Sequence, residues 1–230
     1  MMRETIVRTC AWLGSALVLA MVGIFALTGV GQDPLQFVQP DADYARLLTA
    51  DPGALRACIA LDNVFIVLYT TMFICLGTLV RRAGAPRHLV RVAIGVMMAV
   101  AVLDMVENVH FMVMIDRALQ GLDPGDREIE FQAWESLLKF HLSYLGMFAF
   151  GCALPRCAGA QRLLADLSLV QLPIGVLIYV VPRAIATPLV FVRFTYFVVA
   201  LLLAARAFGR ISAGSGARGS RPGTTPGVVG

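Results

Sequence analysis

Apolar runs of about twenty residues, separated by short polar connectors, recur along this chain as far as residue 208. At about 1.5 Å of rise per residue, roughly 20 apolar residues cross a hydrocarbon layer about 30 Å thick. The pattern predicts six such helices, at about 9–31, 57–80, 92–115, 131–154, 163–181 and 185–208. The expected fold is therefore all-α: a polytopic integral membrane protein whose residues 1–211 form one six-helix transmembrane bundle. Residues 212–230 are Gly, Ser, Pro, Thr, Val, Ala and Arg without an apolar period, so they are expected to be a disordered tail. A secretory signal would also begin with charges such as Arg3 and Arg8, but its apolar core is about 7–15 residues. The longer run at 9–31 predicts an uncleaved first helix.

The connectors carry turn chemistry. Residues 32–56 hold Asp33, Pro34, Pro40, Asp41, Asp43, Asp51 and Pro52; between the prolines, Asp41 to Ala50 fits one short helix with Tyr44, Leu47 and Leu48 facing the membrane. Residues 116–130 form a second acidic loop around Asp123-Pro124-Gly125-Asp126. Pro173 and Gly175 fall inside the fifth run, where a kink near Gln171 is expected. Pro188 falls in the first turn of the sixth, where a missing N–H costs little.

Composition agrees with the pattern: 58% of the 230 residues are hydrophobic and 15% charged, against roughly 25% charged in soluble domains. Eighteen of the 19 basic residues are Arg, and they gather in connectors and tail, which argues for topology rather than nucleic-acid binding. Twelve Arg lie on the side of the termini and five on the other side. The positive-inside rule thus puts both termini in the cytoplasm of a multi-pass cell (plasma or inner) membrane protein. Five cysteines, Cys10, Cys58, Cys75, Cys152 and Cys157, make an odd set with no CxxC pair and no disulfide framework.

Against this background the stretch Leu103–Phe111 stands out, because it places Asp104, Glu107, Asn108 and His110 inside the third run. A charge at a helix centre opposes insertion by roughly 2.5–3.5 kcal/mol, so intramembrane acids invite a functional reading. Measured from the outer ends at about 1.5 Å per residue, Asp62 lies about 8 Å deep, Glu107 and Lys139 about 12 Å, and Arg193 similarly. At helical spacing Asp104, Glu107 and Asn108 share a face, as do Glu135 and Lys139, and Gly146 continues the latter stripe. Those groups predict an outward-facing polar cavity.

Four carboxylates, Asp62, Asp104, Glu107 and Glu135, face two cations, Lys139 and Arg193, leaving a deficit that protons or a bound cation must fill. The candidate site is Asp62, Asn63, Asp104, Glu107, Asn108, Glu135, Lys139 and Arg193, with Asn108 orienting the neighbours of Glu107. The expected function is to bind or move a proton, cation or cationic small molecule. Simpler roles compete: Glu135 and Lys139 at i and i+4 neutralise each other, and Arg193 locks helices together.

An alternative is a membrane-embedded hydrolase or transferase on a lipid-like substrate, with Asp104 or Glu107 as general base and a metal held by His110, His141 and a carboxylate. His110 and His141 differ in depth by roughly 7 Å, which disfavours shared ligation. A second alternative is an accessory subunit whose charges mate with a partner helix. No Walker loop, dinucleotide fingerprint, GxSxG elbow, HExxH or EF-hand loop occurs, and the residues name no cofactor. The bilayer is the one partner they specify.

Overall fold

Proline and glycine set the helix boundaries. The computed structural model describes residues 2–155 and 159–209, so the expectations for the 212–230 tail and for Cys157 lie outside the described residues. Helix α1 is Met2–Thr28, followed by a 3-10 turn at Asp33–Gln36 and a short α2 at Asp41–Thr49. Asp51 caps α3 (Pro52–Arg82): its side chain accepts from the Ala54 N–H at 2.9 Å, and Pro52 takes the first position, where no N–H is needed. Gly84, at φ +96°, ends that helix and Pro86 leads into α4 (Arg87–Ala118). Helix α5 is Asp126–Ala153, α6 Ala160–Val180 and α7 Arg183–Gly209. Helix α6 remains helical through Pro173, and Pro188 sits inside α7.

The six long helices form a closed ring. Each packs on the next in sequence, and α7 returns to α1. Glycines permit the close approaches. A Cβ at position 146 would lie 2.6 Å from Met97 Sδ, so α4 crosses α5 there, on the stripe the sequence marked. Gly175 likewise leaves room for the Tyr144 ring between α5 and α6.

Five of the long helices are apolar enough to cross a membrane: α1, α3, α4, α6 and the Pro188–Phe208 part of α7. Helix α5 is not, which corrects the count of six equivalent spans. It carries Gln132, Glu135, Ser136, Lys139, His141 and Ser143 and turns most of them into the ring instead of toward lipid. Helix α2 also differs from expectation. Tyr44 and Leu48 are fully buried against Leu55, Ile59, Phe111 and Ile115, so α2 docks on the helix ends rather than facing the membrane. The 31 and 32 residues of α3 and α4 make this possible, because at about 1.5 Å per residue they run about 47–48 Å and overshoot a hydrocarbon layer of about 30 Å.

Two apolar cores result, with a polar layer between them. The core nearer α2 ends in α3 at Ile59 and in α4 at Phe111; the larger core begins at Ile66 and Ala101. Asp62, Asn63, Asp104, Glu107 and Asn108 occupy the gap. On the outside at this level the side chains are apolar and exposed, as at Val64, Val67, Val106 and Leu138. The polar layer is thus enclosed within an apolar belt, the arrangement of a multi-pass membrane bundle.

Candidate functional site

A buried stripe on α5 supplies the centre of the layer: Gln132, Ser136, Lys139 and Ser143, at i, i+4, i+7 and i+11, face inward together. The Lys139 ammonium is the hub. It pairs with Asp104 Oδ1 at 2.9 Å and with Glu107 Oε2, both from α4. Glu107 is 1% exposed and its other oxygen accepts from Ser136 Oγ and from Gln132 Nε2 at 3.2 Å. Asp104 accepts a further bond from the Tyr69 hydroxyl of α3 at 2.6 Å. One cation and its two acids thus link α4 and α5, α3 joins through Tyr69, and every oxygen of Glu107 and Asp104 has a donor.

Asp62 stands beside this cluster in a different state. It accepts from Asn108 Nδ2 at 2.8 Å, and among the described residues it has no ion-pair partner. Asn108 also donates to Asn63 Oδ1 at 2.9 Å and accepts from Gln32 Nε2 at 3.2 Å. Asn108 thus orients Asp62, not the neighbours of Glu107, which revises its expected role. The reason is helical: residues 107 and 108 are about 100° apart, so Glu107 points to α5 while Asn108 points to α3.

Other expected pairings are also redrawn. Glu135 does not neutralise Lys139. Its Oε2 lies 2.7 Å from His110 Nδ1, because Lys139 already has two carboxylates on the inner face. Arg193 is not a counterion of the central acids either. It bonds Asp33 Oδ1 in the 3-10 turn at 2.7 Å and lies 4.0 Å from the centre of the Phe140 ring. It ties α7 to the segment after α1 rather than to another of the long helices.

The two histidines are spoken for separately. His110 faces Glu135, while His141 Nδ1 lies 2.8 Å from the Leu137 carbonyl, with its ring 5.0 Å from that of Tyr179. Among the described residues no three His, Cys, Asp or Glu side chains are grouped as metal ligands. Asp104 and Glu107 face into the ring rather than outward, where a partner helix could meet them.

The cavity differs from a polar vestibule. It has a volume of about 610 Å³; Asp62, Asp104 and Lys139 line one region of it, Gln32 and Asp33 stand at the α2 end, and most remaining walls are apolar. Sequence reasoning missed four participants. Gln132 and Ser136 lie seven and three residues before Lys139, so its helical stripe could have shown them. Gln32 and Asp33 lie in a connector and carry no such periodic signal.

No protein-family model, curated protein or solved structure matches this chain. Its class, a multi-pass helical membrane bundle with an enclosed ionic layer, rests on sequence and geometry alone.

Proposed function

We propose that this protein binds a cation or cationic small molecule, with the Asp62 carboxylate as its principal contact. One observation carries the reading: of the carboxylates lining the cavity, Asp104 pairs with Lys139 and Asp33 with Arg193, while Asp62 has no ion-pair partner among the described residues. Lys139 holds Asp104 and Glu107 as internal counterion, so a ligand cation completes the layer at Asp62 without displacing it. Asn108 and Asn63 fix the carboxylate's direction, and Tyr69 holds the neighbouring Asp104. A proton is the natural competitor for the same oxygen. In this reading α5 serves as the sixth span, both termini are cytoplasmic, and α2 lies on the outer face of the cell membrane.

The probe is hexyltrimethylammonium, titrated by calorimetry into protein held in phosphatidylglycerol nanodiscs. Binding should weaken at least about tenfold in Asp62→Asn, from loss of one charge-assisted contact, and survive in Asp62→Glu. Equal binding by wild type and a folded Asp62→Asn protein would sink the proposal.

A further inference from the structure

The cavity continues well beyond the point a small cation would need. Along α3 its wall runs from Cys58 to Leu76, about 27 Å at about 1.5 Å per residue, close to the thickness of a hydrocarbon layer. Past the acids this shaft is walled by side chains such as Met72, Phe73, Met147 and Phe150. Its far end is closed, since Leu76, Leu154, Leu164 and Ala204 line it and are all buried.

The open side is lateral. The strongly exposed residues among those lining the cavity are Leu19, Val22 and Phe25 of α1, at 58%, 45% and 41%, and Phe191 of α7 at 61%, with Thr195 beside it. They flank a slot between α1 and α7 in the halves nearer α2. Beneath it the two helices meet: a Cβ at Gly14 of α1 would lie 3.6 Å from Leu201 of α7. Over the α2 end, Gly31 to Pro34 cover the cavity, held by the Asp33–Arg193 and Gln32–Asn108 contacts.

We infer that the ligand is a single-chain amphiphile with a cationic head, taken sideways from the bilayer through this slot, its head at Asp62 and its chain in the shaft. This rests on the assignment of Asp62 as the cation contact and adds the chemical class and route. Asp62 is the lining carboxylate without an ion-pair partner among the described residues, and most of the wall below it is apolar, so a cation with a hydrocarbon chain matches both parts. Hydrocarbon gains little in moving from lipid into an apolar shaft, because lipid chains are as apolar as Leu. The head therefore decides occupancy, and anionic or neutral amphiphiles of the same length are rejected.

The test uses a hexadecyltrimethylammonium probe with a diazirine near the end of its chain, photolysed with the full-length protein in phosphatidylglycerol nanodiscs and mapped by peptide mass spectrometry. Label should appear on the shaft wall, in the peptides containing Met72 to Leu76 and Met147 to Leu154. It should fall at least about tenfold in Asp62→Asn and return in Asp62→Glu. Leu19→Trp and Thr195→Trp, at opposite lips of the slot, should each reduce it, with circular dichroism and thermal melting confirming the fold. Label confined to outward-facing positions such as Val67 and Val102 overturns the inference, as does interior label that ignores Asp62→Asn. If hexyltrimethylammonium still binds through Asp62 while the shaft stays unlabelled, only the amphiphile is wrong. If neither probe depends on Asp62, both proposals fall.

Discussion

The amide of Asn108 on α4 donates to the Asp62 carboxylate on α3 at 2.8 Å, across the layer that separates the two apolar cores. Its other bonds, to Asn63 and Gln32, make it the junction of α3, α4 and the segment after α1. Asn108→Leu leaves those half-buried groups without this partner, at a cost of up to about 1–3 kcal/mol for a group that stays unsatisfied. Melting of the variant should occur at lower temperature than wild type, and hexyltrimethylammonium affinity should fall because Asp62 loses its orientation. An unchanged melting temperature would show that water replaces the amide.

Lys139 is 5% exposed and answers two carboxylates. Removing it alone, as in Lys139→Met, strands Asp104 and Glu107, and breaking a buried pair in this way costs about 3–5 kcal/mol. The triple variant Lys139→Met, Asp104→Asn, Glu107→Gln removes all three charges and should recover most of that loss. Denaturation of the purified proteins compares them directly; a single variant as stable as wild type would contradict the ion cluster.

Arg193 reaches Asp33 from α7 and holds the segment over the cavity. Arg193→Met should speed hydrogen exchange at residues 30–40 while leaving exchange in the α3 and α4 interiors near wild type. Uniform acceleration throughout the bundle would mean that Arg193 supports the whole fold instead of that segment.

Asp126 opens α5 and Asp41 opens α2. Hydrogen bonding to the Asp41 carboxyl, and then their like charge, raises the Asp126 carboxyl above its ordinary value of 3.8. A folded state that holds its proton more tightly than the unfolded chain loses stability as pH rises through the window between 3.8 and the raised value. Below that window the contribution is fully present. The melting temperature of wild type should therefore decline across the window relative to Asp126→Asn, and parallel curves for the two proteins would refute the pairing.

Much of this architecture is legible from periodicity. Runs long enough to cross a membrane mark α1, α3, α4, α6 and α7, and the facing of Asp104, Glu107 and Asn108 follows from 100° per residue. Partner choice is not legible in the same way. Glu135 sits one turn from Lys139, yet pairing depends on what α4 presents at that level, and α4 offers His110 to one and two acids to the other. Helix α2 misled for a related reason: its apolar face marks burial but does not distinguish lipid from the protruding ends of α3 and α4. The role of Asp33 was hidden because a connector residue has no helical neighbours to fix where it points.

The close approach of Gly14 on α1 to Leu201 on α7 shuts the ring below the slot. A guest admitted between α1 and α7 therefore exchanges with a single leaflet, the one on the α2 side, and leaves by the way it came. Carrying it to the other leaflet would require α1 and α7 to separate at Gly14. If the proposed amphiphile binds there, a closed seam would make the bundle a socket rather than a conduit, and its occupancy would report how much of that amphiphile the leaflet contains.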